Sequence, residues 1–356
     1  MPTIYDVATK AGVSTATVSR VLNGHPKVDP LMRQRVTEAV EELRYIPNGT
    51  ARSLVTKQTR RVALLISDIT NSFFAETARG AQDALDERGY QLLLANSDDQ
   101  SSRELRSLAT FAETGVDGVL IEPAMPSNQS DATQRANRNK LSRQLEALGV
   151  PVVGFGPDRV TDAADIVTID DEQAGFKAVD HLLGLGHQRI AMINGPAHSA
   201  VGSRRAAGYR QALARNGVAF DPDLLISANF RRDAGFEAMK LILEWPNRPS
   251  AVFTGDDLIA IGALQALKNA GLRVPQDVAI VCIGDAVRTI DTDPALTSVV
   301  VPRGYELGRV GSQMLLERIM SSGKEPLSPR KVVFETRLVV RASTVAGLVS
   351  NFDSIR

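Results

Sequence analysis

The side chains best placed to do chemistry lie near the N-terminus. In Ser14-Thr-Ala-Thr-Val-Ser-Arg-Val-Leu-Asn23, one helical face is small and polar at Thr15, Ala16, Thr17 and Ser19, and Arg20 follows. Small residues let a helix sit deep in a DNA major groove. Arginine can make two hydrogen bonds to guanine, and an apolar side chain can meet a thymine methyl. Hydroxyls and backbone N–H groups at a helix start can hold phosphates. Other candidates are weaker. Asp170-Asp171-Glu172 and the four histidines suggest acid–base or metal chemistry at first sight. Acid runs at strand-to-helix junctions, however, favour the positive end of a helix. His187 follows Gly186 in a turn and His181 lies on a helical pattern. No nucleophile–base pair or ligand cluster emerges, so the chain is not read as an enzyme, and no cofactor or metal is implied. Cys282 is the single cysteine, which excludes an intrachain disulfide, and no Cys/His group has zinc-ligand spacing.

The elements that must position the first motif are short helices. Thr3-Ile-Tyr-Asp6 resembles a capping box, with Asp in place of Glu. Ile4, Val7, Ala8 and Ala11 then recur at helical spacing until Gly12 breaks the pattern. Ser14 is the predicted cap of a second helix through Val21, with Val18 and Leu22 inward. Asp29-Pro30 opens a third, with the acid as cap and proline at the first helical position. Val36, Ala39, Val40 and Leu43 form its apolar stripe, and Pro47 closes the unit. Two helices joined by a short glycine-containing turn fit a helix-turn-helix.

From Val62 the pattern changes to short apolar runs alternating with amphipathic segments. The runs are Val62-Ile66, Gln91-Ala95, Val116-Ile121, Pro151-Phe155, Ile190-Ile193, Ala251-Thr254 and Val278-Ile283. Most of the helical segments between them end in a glycine, at positions 89, 115, 149, 186, 217 and 271, suited to a left-handed cap. This repeated β-α-β pattern predicts parallel sheets covered by helices. About 280 residues are large for one sheet, so two lobes are expected. The polar run Ser127 to Lys140 reads as surface loop and helix start, with no evident function.

Charge separates the two parts. The chain balances 41 basic against 41 acidic residues, yet residues 1–61 carry three Lys and seven Arg against five acids, net +5, leaving net −5 for the rest. This suits a nucleic-acid-binding head on a neutral or acidic body. The N-terminus shows no apolar leader and no stretch reads as a membrane span. A cytoplasmic protein without membrane association is expected.

Ile-Tyr-Asp-Val-Ala-x-x-Ala-Gly-Val-Ser-x-x-Thr-Val-Ser-Arg-Val-Leu-Asn, at 4–23, closely resembles the LacI/GalR repressor family. So do Tyr45-Ile-Pro-Asn48 and Ala51-Arg-Ser-Leu54, and the resemblance continues through Asn71-Ser-Phe-Phe74, Val116-Asp-Gly118, Gly186-His187, Arg205-Ala-Ala-Gly-Tyr209, Leu272-Arg-Val-Pro-Gln-Asp-Val278 and Leu307-Gly-Arg309. It implies an N-terminal all-α helix-turn-helix headpiece and a C-terminal α/β sensor, two-lobed and periplasmic-binding-protein-like. The expected division is headpiece 1–47, hinge helix and linker 48–60, effector-binding and dimerisation domain 61–345, and tail 346–356. It further implies a homodimer on double-stranded operator DNA, controlled by a small-molecule effector, a sugar or sugar derivative. Residues 345–356 hold no heptad of leucines, so a dimer rather than a coiled-coil tetramer is expected.

By matching positions, Thr15, Ala16 and Arg20 would read bases, while Tyr5, Ser14, Thr17, Asn23 and His25 would hold the backbone. Residues 48–56 would form a hinge helix on DNA, and Leu54 would wedge into the minor groove; taken alone, Leu54 reads as a linker hydrophobe. In the sensor, the resemblance places Asn71, Phe74, Glu122, Arg205, Phe230, Asp256 and Asp285 at the effector cleft. Phe74 and Phe230 taken singly also read as core, and Asp257 as a helix cap.

The sequence departs from the family in the cleft. Gly156 stands where an Asp is common, and Asp158 would replace it only through a reshaped loop. Cys282-Ile-Gly-Asp285 lacks the first Asp of the usual Gly-Phe-Asp-Asp, Val301 replaces a Gln, and Asp256 replaces an Asn. Arg231, Arg232 and Arg303 fall near the cleft. The altered set points away from an ordinary hexose or pentose, or to weak ligand control, and leaves a sugar acid or sugar phosphate open. Two neighbouring functions share the architecture. A secreted solute-binding protein would carry a signal peptide and no headpiece, the opposite of this chain. A corepressor mode, with ligand strengthening DNA binding, stays open.

Overall fold

A computed structural model describes residues 2–22, 24–45, 58–124, 131–196, 199–284, 289–321 and 327–346. The chain forms two compact units, 1–59 and 60–356.

The first unit is helical. α1 (Ile4–Ala11) opens on the predicted capping box: Thr3 receives the Asp6 amide, and the Asp6 carboxylate accepts from the Thr3 N–H at 2.7 Å. Gly12 ends it at φ 61°, the left-handed cap that favours a residue without a Cβ. α2 (Thr15–Leu22) follows at once. α3 (Pro30–Leu43) starts with proline at its first position and the Asp29 carboxylate accepting from the Leu31 and Met32 amides. Val7, Ala8, Ala11, Val18, Val36 and Ala39 form the core, so the small apolar positions of all three helices meet.

Among the described residues, the strands of the second unit build two six-stranded sheets. The first contains β1 (Arg61–Ile66), β2 (Gln91–Asn96), β3 (Gly118–Ile121), β4 (Val152–Phe155), β5 (Asp165–Ile169) and the late β11 (Lys331–Phe334), in the order β11-β5-β4-β3-β1-β2. The second contains β6 (Ile190–Asn194), β7 (Leu225–Ser227), β8 (Ala251–Thr254), β9 (Ala279–Gly284), β10 (Thr297–Val300) and β12 (Arg337–Val339), in the order β12-β10-β9-β8-β6-β7. All pairings are parallel except β10 with β12. The central strands are buried on both faces, which is why Val62 to Ile66 is a continuous apolar run instead of an alternating one. The six predicted glycine stops all have positive φ, between 65° and 92°.

Helices cover the sheets: α4 (Ser72–Asp86), α5 (Ser101–Thr114), α6 (Asp131–Leu148) and α11 (Gly304–Met320) in the first lobe, and α7 (Asp171–Gly184), α8 (Ala200–Arg215), α9 (Arg232–Leu243) and α10 (Asp257–Asn269) in the second. Three helix pairs close to backbone contact through glycine. Gly80, Gly304 and Gly308 join α4 to α11, Gly175 and Gly208 join α7 to α8, and Gly235 and Gly262 join α9 to α10. At each of these glycines a Cβ would collide with a carbonyl of the facing helix. The chain passes from the first sheet to the second after β5, returns through α11 to β11, and crosses again into β12, and residues following strands of both sheets line one cleft.

Candidate functional site

α2 presents its polar face outward. Ser14, Ala16 and Arg20 are exposed and Thr15 and Thr17 part-buried, while Val18 points into the core. Ser14 caps the helix, accepting from the Thr17 amide at 3.2 Å and meeting the Thr17 hydroxyl at 3.0 Å. Tyr5 is 71% exposed on α1, with nothing in the core to require it there. His25 is exposed beyond α2; its Nδ1 accepts from the Lys27 amide, and its carbonyl accepts from Arg33 at 2.7 Å. Hydroxyls, an aromatic, an imidazole and a guanidinium thus stand outside the core of one small three-helix unit. Asn23 and Leu54, with the expected hinge helix, lie outside the described residues.

The second site is a cavity of about 400 Å³ in the cleft between the lobes. Asn71, Phe74, Glu122, Arg205, Phe230 and Asp256 all line it, although they come from five separate points along the chain. Asp285 lies outside the described residues. Asn71 caps α4 by accepting from the Phe73 amide at 3.0 Å. Phe74 stands edge-on to Phe73, ring centroids 5.5 Å apart. Phe230 lies over Gly195, which has no Cβ to obstruct the ring, and 5.8 Å beneath the Arg205 guanidinium.

The polar partners add detail that the sequence did not show. Arg205, 8% exposed, turns its Nε and Nη2 to Asp171 Oδ1, both at 2.8 Å, and Nη1 donates to the Gly255 carbonyl. In the acid run, Asp170 caps α7 through the Gln173 amide, and Asp171 is the buried partner of Arg205. The expected cap at Asp257 falls one residue earlier. Asp256 caps α10, accepting from the Leu258 amide at 2.9 Å while lining the cleft. Asp257 is 4% exposed, and its side chain fills the space over Gly284. Glu122 accepts from the Ser67 amide at 3.0 Å. Burial pushes its carboxyl up to about 8, against the Ser67 bond and with the nearby Asp99 and Glu104 adding to the rise. Glu104, on α5, accepts from the Ala124 amide, and burial pushes it up to about 7.

Asp158 does line the cleft, but it is occupied by Arg138 at 3.5 Å and Arg204 at 3.4 Å. Arg231 meets Asp68 at 3.4 Å. Arg138 belongs to the polar run in which the sequence showed no function. Its helix has few apolar positions, so periodicity could not reveal which side chain reaches the cleft. Arg232 is not among the lining residues, whereas Arg303 is.

Comparison with known proteins recognises both parts of the chain. Residues 3–48 match the model of bacterial regulatory proteins of the lacI family, and residues 179–344 match a periplasmic binding protein-like domain. Catabolite control protein A of Priestia megaterium is 36% identical over 343 residues, 96% of this chain and 99% of that protein. The structure of a transcriptional regulator CelR–cellobiose complex is 35% identical at a TM-score of 0.70, covering 96% of this chain and 100% of that one. The lac repressor dimer bound to operator and the anti-inducer ONPF superposes with a TM-score of 0.83 at 26% identity, covering 97% and 99%. The chain belongs to the LacI family and is a DNA-binding transcription regulator with a periplasmic-binding-protein-like sensor.

Proposed function

We propose that the chain is a homodimeric cytoplasmic repressor of carbohydrate uptake or catabolism genes, released from a pseudo-palindromic operator by a small polar ligand. Residues 1–47 form the headpiece, 48–60 the hinge and linker, 61–345 the effector-binding and dimerisation domain, and 346–356 a tail. Thr15, Ala16 and Arg20 read base edges. Tyr5, Ser14, Thr17, Asn23 and His25 hold phosphates, and Leu54 wedges the minor groove at the operator centre. Asn71, Phe74, Glu122, Arg205, Phe230, Asp256 and Asp285 bind the effector. The chain has no enzymatic role. The carrying observation is that six side chains chosen from sequence line one interlobe cavity in a chain whose α2 offers a recognition face. Ligand closes the lobes and shifts the dimer, which requires unequal affinity for the DNA-binding and released states.

The test is affinity of the full chain for its selected operator, with and without a panel of neutral sugars, sugar acids and sugar phosphates. Arg20→Ala is expected to cost roughly 1–3 kcal/mol and relax preference at one base pair per half-site. Uniform weakening on all operator variants would make Arg20 a phosphate contact instead. Arg205→Ala is expected to keep operator binding and lose the ligand response. Equal release from that variant would move the effector site elsewhere, and a ligand that tightens DNA binding would make the protein a corepressor-type regulator.

A further inference from the structure

Four arginines line the cleft among the described residues, against nine carboxylates. Arginines near a sugar-sized cavity suggest an anionic ligand. Their bonding says otherwise. Arg205 is the deepest of them, and its guanidinium has five N–H donors in a fixed fork. Two donate to groups of the protein itself, Nε–H to Asp171 and one Nη1–H to the Gly255 carbonyl, and Nη2 lies 2.8 Å from the same Asp171 oxygen. The N–H groups left over can meet a ligand. The charge behind them is already balanced, because Asp171 is 3% exposed and has the guanidinium against it at 2.8 Å.

The pairing is built by the fold. Asp171 begins α7, Arg205 lies in the second turn of α8, and the two helices touch backbone to backbone where Gly175 meets the Arg205 carbonyl and Gly208 the Glu172 carbonyl. An anionic ligand could recruit the full Arg205 charge only by drawing it from Asp171, which would strand a buried carboxylate. Arg231 faces Asp68 at 3.4 Å, and Arg138 shares Asp158 with Arg204, at 3.5 and 3.4 Å; these pairs are far more solvated than the one at Arg205. Arg303 is exposed at the rim. An acid-rich cavity with low-dielectric walls repels anions as they enter.

We propose that Asp171 sets the charge selectivity of the cleft: by balancing Arg205 it leaves a hydrogen-bonding fork without net charge, admits an uncharged polyhydroxylated ligand, and excludes sugar acids and sugar phosphates. This rests on the cleft being the effector site. Asp171 is a positioning residue, acting through the guanidinium it holds.

Inorganic phosphate is the first probe, because it needs no knowledge of the effector. Calorimetry on the full chain compares wild type, Asp171→Asn and the double variant Asp171→Asn/Arg205→Gln. Asp171→Asn frees the Arg205 charge and is expected to bind phosphate at least tenfold more tightly than wild type. The double variant is expected to lose that gain, which separates the cleft from the DNA-binding face. A merely structural role for Asp171 would lower stability without creating a phosphate site. The second probe set is three matched pairs: glucose with glucose 6-phosphate, ribose with ribose 5-phosphate, and cellobiose with cellobionate. Wild type is expected to prefer the uncharged member of any pair it binds. The proposal is overturned if Asp171→Asn gains no phosphate affinity, or if wild type prefers a charged member. The wild-type arm decides the matter even if the single variant fails to fold. A phosphate gain with no sugar bound by wild type would uphold the charge assignment and sink the effector reading; sugar binding without a phosphate gain would do the reverse.

Discussion

Glu122 shows how a single side chain in the cleft carries a cost that the fold tolerates. It directly follows β3, where β-α-β folds present ligand-binding groups, and it faces Ser67, Asp99 and the Glu104 carboxyl, with no arginine against it in the described contacts. Folded, Glu122 takes up its proton near 8 instead of 4.5, and Glu104 near 7. The folded state therefore binds more protons than the unfolded chain between those values. Stability falls as pH rises across that window and levels off above it. Glu122→Gln removes its share of the penalty. Thermal melts from pH 5 to 9 should show the variant close to wild type at pH 5 and more stable at pH 9, by on the order of 4 kcal/mol. Parallel curves would mean that Glu122 ionises freely in the folded protein. A neutral Glu122 can also donate a hydrogen bond to a ligand oxygen, in keeping with an uncharged effector. The residue was legible in the sequence as a cleft acid through its place after an apolar run. Its protonation was not, because Glu104 and Asp99 approach it only once α5 has folded onto the sheet.

At the scale of elements, the strongest signals were local ones. Capping residues, glycine stops and unbroken apolar runs each depend on a few neighbouring residues, and the described helices and central strands follow them. Among the described strands β5, β7, β10, β11 and β12 did not show. β5 begins with Asp165, an unpromising strand residue, which is fully buried because Arg318 and Arg330 converge on it at 2.7 and 3.0 Å. β11 and β12 have four and three residues, and each pairs with a strand remote in sequence. No local pattern can announce such a partner. The glycine contacts between helices were similarly hidden, since glycine inside a helix reads as a weakness until the facing helix is known. Gly208 and Gly184 make the contrast testable. A side chain at Gly208 would meet the Glu172 and Phe176 backbone, whereas nothing lies within 4 Å of the site at Gly184. Gly208→Val should destabilise the sensor by about 1–3 kcal/mol or more through overpacking. Gly184→Ala should change stability by less than about 1 kcal/mol, in the stabilising direction if anything. Equal melting temperatures for the two would show that α7 and α8 can separate without cost.

The whole sensor is a device of two lobes whose separation a ligand must bias. Among the described residues, two ion pairs span the cleft between them. Arg231, before α9 in the second lobe, meets Asp68 after β1 in the first at 3.4 Å, and Arg204 on α8 meets Asp158 after β4, also at 3.4 Å. Their side chains are largely solvated, Arg231 at 57% and Arg204 at 43%, so each pair contributes only about 0–1 kcal/mol. That is little for folding, yet enough to matter for lobes poised between two arrangements, where about 1 kcal/mol shifts a population ratio roughly fivefold. Salt should weaken the effect, since charges in water are screened over about 8 Å at physiological ionic strength. Arg204→Gln/Arg231→Gln is therefore expected to raise the radius of gyration of the ligand-free protein in low salt, measured by small-angle X-ray scattering, and to leave it unchanged in 1 M salt, where wild type has already opened. Exchanging the charges of one pair, Asp68→Arg with Arg231→Asp, tests the direction of the cause, because it restores attraction while altering both side chains. If the exchanged protein stays as open as the neutral variant, or if neither differs from wild type at low salt, the lobes are held by packing alone and the arginines at the mouth serve only solubility.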